Sequence, residues 1–80
     1  MNARVYITLK RGLLDAQGAT IKRALASLGF SSVTDVRMGK YLEIELNGAR
    51  AASARKDVER MCRKLLANPV VETYRIELVR

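Results

Sequence analysis

Few residues in this sequence have a type and spacing suited to acid–base or nucleophilic chemistry. Glu43 and Glu45 are two positions apart, so on a strand they share one face and could form an acid–base pair, but we expect solvated carboxylates. The chain has no histidine, the commonest acid–base group and metal ligand at neutral pH. Cys62 is its single cysteine, and the apolar neighbours Met61 and Leu65 predict a buried structural thiol. We therefore expect neither catalytic residues nor a metal site.

The stretch 35–41, DVRMGKY, is the best candidate for binding. Arg37 and Lys40 could meet acidic groups on a partner, and Gly39 would permit close backbone approach beside Tyr41. The alternative is a solubilising turn without a partner. Gly39-Lys40 also resembles the end of a phosphate-binding loop, but the earlier glycine is missing and Tyr41 replaces the hydroxyl that would bind magnesium. We predict no cofactor on this chain.

The length and net charge of the chain limit the kinds of protein that it can be. The 80 residues suffice for one domain with a small core, so self-association would supply burial that a single chain lacks. A net charge of +7 suggests attraction to an anionic partner, although the basic residues are scattered and a solvated basic surface is the simpler interpretation. No apolar run approaches the roughly 20 residues that span a bilayer. Because the sequence starts directly with a strand pattern, we expect a cytoplasmic protein without a signal peptide.

Hydrophobic periodicity predicts the first half of the chain. Alternating residues indicate a strand over 3–10, and Asp15 is placed to cap a helix that ends at Gly29. Strands over 32–38 and 41–46 would form an antiparallel hairpin around a Gly39-Lys40 turn. The predicted apolar helix stripe is Ile21, Ala24, Leu25 and Leu28.

The second half reads as a helix and a strand. The helix begins between Ala49 and Ser53, and Pro69 stops it near Asn68, which is suited to a left-handed cap. In the last strand we expect an inward face of Tyr74, Ile76 and Leu78. The predicted stripe of the second helix is Ala54, Val58, Met61, Cys62 and Leu65.

The predicted order is β-α-β-β-α-β in one domain spanning residues 1–80. This order is typical of an α+β two-layer sandwich, in which both helices cover one face of an antiparallel sheet. A right-handed crossover would place the first two strands parallel. The other face, with Tyr6, Thr8 and Tyr41, would remain open, and we expect oligomerisation through the sheet.

Three segments resemble one known family. Residues 14–18 (LDAQG), 35–41 (DVRMGKY) and 61–74 (MCRKLLANPVVETY) are similar to PurS, the small subunit of phosphoribosylformylglycinamidine synthase, although Ala16 stands where the family motif has proline. The resemblance implies a non-catalytic subunit that forms dimers or tetramers. It also implies that the chain bridges a glutaminase and a synthetase subunit and assists ammonia transfer, while ATP and magnesium are used by the synthetase.

Two other function classes remain open. The same element order occurs in RNA-recognition domains, where aromatic residues on an open sheet stack on bases. The basic charge favours this interpretation, but the RNA-binding sequence motif is absent and the chain has only four aromatic residues, so we do not expect nucleic acid as a partner. A small-molecule regulatory domain of similar topology is the weaker alternative.

Overall fold

The computed structural model of this chain describes residues 1–48 and 50–79. Its elements are, in order, β1 (Asn2–Leu9), α1 (Ala16–Ser27), β2 (Gly39–Glu45), α2 (Ala51–Met61), a π-helical segment (Cys62–Leu66) and β3 (Glu72–Val79). Along this part of the chain, three strands form one antiparallel sheet in the order β2-β1-β3. The predicted α+β class with an open antiparallel sheet is confirmed.

The central strand β1 supplies the core of the sheet. Its alternating residues Ala3, Val5 and Ile7 are at most 1% exposed. They lie between apolar residues of both neighbours, so that Val5 faces Leu42 on one side and Ile76 on the other. The residues packed around this core on β2 and β3 are Leu42, Ile44, Tyr74, Ile76 and Leu78. The predicted inward face of the last strand, Tyr74, Ile76 and Leu78, is therefore confirmed.

The end of the second helix is wound as a π-helix. The amide of Ala67 donates to the carbonyl of Cys62, 3.0 Å away, which is the i→i+5 bond of that geometry. The wider turn changes the angular position of the residues within it, and Leu66 packs against the core while Leu65 is 83% exposed. The prediction that Leu65 is a core residue is therefore wrong, whereas it is confirmed for Ala54, Val58, Met61 and Cys62. α2 begins inside the predicted window, of which Ala49 lies outside the described residues.

Asn68 builds the joint between the helix and β3. Its side-chain oxygen accepts the amide of Val70 at 3.0 Å, and its carbonyl accepts the amide of Glu72 at 2.7 Å. In return, its own amide donates to the Glu72 carboxylate at 2.7 Å. Among the described residues, only glycines have a positive φ, so the predicted left-handed cap is wrong. Asn68 instead organises the turn that leads into β3, through its hydrogen bonds to Val70 and Glu72.

The predicted strand over 32–38 does not form. This segment runs without strand pairing towards the end of the sheet, where Asp15 and Arg37 make hydrogen bonds that tie it to neighbouring chain. Gly39 and Lys40 begin β2 and pair with β1, so they are not a hairpin turn. The predictions of a fourth strand and of a parallel first pair are therefore wrong. The alternation of apolar and polar residues could not exclude them, because it does not show which strand, if any, pairs with a segment.

α1 is well capped but poorly covered. Asp15 caps its first turn, and Gly29, with φ +97°, ends it as predicted. Its predicted inner stripe is not packed on the sheet, since Ile21 is 37% and Leu28 is 73% exposed. Gly18 is the one buried residue of the helix. Over the described residues, the sheet is therefore covered by α2 and the π-helical segment that continues it. The expectation of two helices on one face is not met within a single chain.

Candidate partner-binding site

The predicted binding residues lie at the start of β2 and just before it. Gly39 pairs with Thr8 of β1, and a Cβ atom built on Gly39 would lie 2.5 Å from the carbonyl oxygen of Ile7. The glycine is thus required for close approach to a neighbouring strand of its own chain. A larger residue would push β2 away from β1 at this end.

Arg37 and Lys40 both bind their own chain. The Arg37 guanidinium donates to the carbonyl of Leu9 at 2.9 Å and, more weakly, to that of Lys10 at 3.4 Å. The ammonium of Lys40 lies 3.6 Å from the carboxylate of Glu72 on β3. Each cation therefore ties the segment around the start of β2 to a neighbouring part of the sheet. The Lys40 side chain is still 61% exposed, so it can also be reached from outside.

Tyr41 lies on the open face of the sheet, in a row that crosses all three strands. Its ring centroid is 5.1 Å from that of Tyr6, and the guanidinium carbon of Arg75 lies 4.1 Å above the Tyr6 ring. The Tyr41 hydroxyl donates to Glu43 at 2.8 Å, which raises the pKa of the phenol above its usual value. We call this Tyr41–Tyr6–Arg75 arrangement the aromatic row. It is stabilised by cation–π and aromatic contacts.

Opposite charges are paired beside the aromatic row. Arg4 binds Glu77 at 3.0 Å, and this hydrogen bond raises the pKa of the guanidinium further. Since Arg75 already covers the Tyr6 ring, that ring has less free surface for a stacked base.

Asp15 has a second role that the sequence did not reveal. One carboxylate oxygen caps α1 through the Gly18 amide at 2.9 Å, and the other accepts the amide of Met38 at 2.6 Å. The Met38 bond and the Gly18 bond together lower the pKa of Asp15 below its ordinary value. A Cβ on Gly18 would overlap the Val36 carbonyl oxygen. The first turn of α1 is thus fixed to the segment that leads into β2, a non-local contact for which the sequence carries no signal.

The side chains that could take part in catalysis are engaged in packing or hydrogen bonding. Cys62 is fully buried, and burial raises the pKa of its thiol, so it remains protonated and unreactive at neutral pH. Glu43 accepts the Tyr41 hydroxyl. Within residues 1–48 and 50–79, no three His, Cys, Asp or Glu side chains gather as a metal site would need. Over the same residues, none of the helices has the length and apolar character to cross a bilayer.

Comparison with known proteins identifies the family. The sequence model of the family described as "PurS: Phosphoribosylformylglycinamidine (FGAM) synthase" matches residues 2–80. The chain belongs to the PurS family. A curated PurS subunit from Methanocaldococcus jannaschii is 45% identical over 76 residues, which cover 95% of this chain and 92% of that protein.

Solved PurS structures have the same fold. A crystal structure of Methanocaldococcus jannaschii PurS aligns with a TM-score of 0.87 at 43% identity and covers 95% of this chain and 92% of that one. A chain in the structure of PurLQS from Thermotoga maritima also gives 0.87, at 29% identity, covering 95% of this chain and 93% of that one. As a PurS chain, the protein is a subunit of phosphoribosylformylglycinamidine synthase in purine biosynthesis. These relatives do not support the RNA-binding alternative.

Proposed function

We propose that this PurS-family chain is a non-catalytic subunit that joins a glutaminase and a synthetase subunit and assists ammonia transfer between them. The observation that carries this proposal is the likeness to a chain solved within PurLQS. The surroundings of Cys62 and Glu43, which are engaged in packing and hydrogen bonding, agree with it. ATP and magnesium would be used by the synthetase partner, and the complex would work in the cytoplasm.

A reconstituted assay tests the bridging role. The glutaminase and synthetase subunits are combined with ATP, magnesium and formylglycinamide ribonucleotide, with and without this chain, and amidine formation is measured. We expect glutamine-dependent turnover to need the chain, because without it ammonia released at one subunit escapes to solvent. Added ammonium salt should restore turnover, since it bypasses transfer. Equal glutamine-dependent rates with and without the chain would refute the proposal.

We further propose that the chain associates with itself, as a dimer or a tetramer. Its radius of gyration is 15.9 Å, against about 12 Å for a compact domain of this length. The exposed apolar residues of α1 support the same proposal, since contiguous exposed apolar surface is typical of interfaces.

The surface proposed for the enzyme partners contains Arg37, Gly39, Lys40 and Tyr41. Tyr41 is 50% exposed on the open face of the sheet, and Lys40 is accessible on the opposite face of the same edge strand. A partner that binds around this edge could therefore contact both side chains. Arg37 and Gly39 act through position, because their contacts with β1 hold the start of β2 in place. Tyrosine and arginine are among the residue types enriched where interface energies are concentrated.

A further inference from the structure

A polar cavity lies at the end of the sheet where β1 finishes. Its volume is about 450 Å³, which is within the range of small-molecule sites, roughly 300–1,000 Å³. It is lined by residues 8–11, by Asp35 and Arg37 of the segment before β2, and by Thr73 of β3. Three separate parts of the chain therefore meet around one concave surface, which we call the basic cavity.

Two threonines belong to the lining of the basic cavity. Thr8 and Thr73 are paired across β1 and β3, and their hydroxyl oxygens are 3.3 Å apart. Both side chains are exposed, on the face of the sheet opposite to the buried Ile7. The bond between the hydroxyls uses one of their two protons. The other proton can be donated to an oxygen atom of a ligand.

Arg37 is held in place beside these hydroxyls by the end of β1. A single terminal nitrogen, Nη2, donates to the carbonyl oxygens of Leu9 at 2.9 Å and of Lys10 at 3.4 Å. A guanidinium has five N–H groups in a rigid fork, so the donors on Nη1 and Nε are not used by these bonds. The cation is therefore positioned before a ligand arrives, which lowers the entropic cost of binding.

Lys10 and Arg11 complete the basic side of the cavity. The amide of Lys10 donates to the carbonyl of Val71 at 2.8 Å, so the backbone that carries these two cations is fixed to the chain just before β3. Both side chains are exposed and belong to the lining. A cleft lined mainly by one sign of charge concentrates counter-ions at its surface.

The charges of the lining do not balance. Three of its residues are cations and Asp35 is a carboxylate, so the net charge is about two positive units. Asp35 accepts the amide of Val36 at 2.9 Å, and among the residues that the structure describes the ion pairs are those of Arg4 and Lys40. A phosphate monoester carries a charge of about −1.5 to −2 at pH 7, which matches this excess. A single carboxylate would neutralise only half of it.

We propose that the basic cavity binds a phosphate dianion, either the phosphate group of a small metabolite or free phosphate. Arg37 and the threonine pair donate hydrogen bonds to the phosphate oxygens, and Lys10 and Arg11 neutralise the charge. Among the described residues that line the cavity none is aromatic, so the site recognises phosphate and does not stack on a nucleobase.

This inference goes beyond the bridging role proposed above. Arg37 also belongs to the surface proposed for the enzyme partners, whereas Lys10 and Arg11 do not. The test variants therefore change Lys10 and Arg11 and leave Arg37 as it is. Failure of anion binding is then distinguishable from failure of the bridging role, which the reconstituted assay measures.

Nuclear magnetic resonance of the ¹⁵N-labelled chain tests the site and locates it. The chain is titrated at constant ionic strength with inorganic phosphate and, separately, with glycerol 3-phosphate, and glycerol and sodium chloride are the controls. We expect saturable shifts of the amide signals of residues 8–11, of residues 35–37 and of Thr73, and no such shifts with the controls. Tighter binding of glycerol 3-phosphate would identify a metabolite as the ligand, and equal or weaker binding would identify free phosphate.

Substitution of the cavity cations gives a matched comparison. We expect Lys10→Gln and Arg11→Gln each to weaken phosphate binding by about tenfold, because each removes a charged partner of the anion. Lys22→Gln removes the same charge from an exposed position on α1 outside the cavity and should bind normally. The amide spectrum of each variant without ligand shows whether its fold is retained.

Three results would overturn the proposal. The first is the absence of shifts with both phosphate compounds, and the second is a set of shifts that do not saturate and are scattered over the surface. The third is an equal loss of affinity in Lys22→Gln, which would show attraction to the net charge of the chain and not to this cavity.

Discussion

At the scale of single residues, Asp15 links two parts of the molecule. Its carboxylate caps α1 and also holds the amide of Met38, so one side chain fixes the helix start against the segment before β2. The sequence indicated the first contact, because Asp before a helix is a common cap. It could not indicate the second, since residues 15 and 38 are brought together only by folding.

The lowered pKa of Asp15 predicts that the stability of the fold decreases at acid pH. The folded state lowers its pKa from the ordinary value of 3.8, so the folded state binds a proton less readily than the unfolded state. The stabilisation is present above the ordinary pKa and is lost as pH falls through the folded value. We expect Asp15→Asn to have a lower melting temperature at neutral pH and a smaller acid-induced decrease below about pH 4. Parallel acid-induced decreases in both proteins would contradict this assignment.

Substitution of Lys40 is predicted to weaken association with the enzyme partners and to have little effect on folding. The Lys40–Glu72 ion pair is exposed on the lysine side, and such pairs contribute about 0–1 kcal/mol to stability. We expect Lys40→Ala or Arg37→Ala to weaken binding to the enzyme partners by about 1 kcal/mol, roughly fivefold, with the fold retained. Size-exclusion chromatography and titration calorimetry measure this. Lys56→Ala on the exposed side of α2 is the control and should bind normally, and unchanged binding by the Lys40 and Arg37 variants would contradict the proposed surface.

At the scale of elements, the π-helical segment decides which leucine enters the core. Both Leu65 and Leu66 are apolar, and an uninterrupted α-helix would have turned Leu65 inward. The i→i+5 bond from Ala67 to Cys62 brings Leu66 inward instead and leaves Leu65 83% exposed. The segment thus places one leucine in the core and leaves the other on the surface.

The two leucines form a matched pair for mutation. We expect Leu66→Ala to lower the free energy of unfolding by about 1–3 kcal/mol at every protein concentration, because it removes packing inside the chain. Leu65→Ala should lower it much less, because the Leu65 side chain is 83% exposed. Urea denaturation of both variants measures the difference. A loss in Leu65→Ala as large as that in Leu66→Ala would place the Leu65 side chain in the core.

At the scale of the whole molecule, the chain is an incomplete sandwich. α2 and the three strands form the core, while α1 extends from it with one buried residue. A domain of this length has limited apolar surface to bury, and here part of that surface remains uncovered. Folding and assembly are therefore expected to be linked.

This linkage predicts a melting temperature that depends on concentration. Because association stabilises only folded chains, we expect the temperature to rise by roughly 3–6 °C for each tenfold increase in protein concentration around the dissociation constant. Differential scanning calorimetry over several concentrations measures the change. Leu28→Glu places a charge on the α1 stripe. This variant should melt at a lower temperature than the unsubstituted chain, and its melting temperature should vary less with protein concentration. A constant melting temperature in the unsubstituted chain, with no associated species by sedimentation, would refute the link.

The sequence by itself determined the features that depend on neighbouring residues. Alternation in β1 and β3 identified their inward faces, since side chains on a strand point alternately to opposite sides. Asp15 and Gly29 marked the ends of α1, and the residues around Cys62 marked a buried stripe. The family resemblance was carried by three short segments, and it held over nearly the whole chain.

Only the tertiary structure decided the features that depend on distant residues. The pairing of Gly39 with Thr8, the unpaired segment 32–38 and the contacts of Arg37 and Lys40 all join parts of the chain that are far apart in sequence. The exposed α1 stripe has the same local pattern as a buried one, because periodicity shows that a helix has an apolar face but not what covers it. The contacts of Asp15 and Gly18 with Met38 and Val36 fix where the first turn of α1 lies, and periodicity carries no information about them.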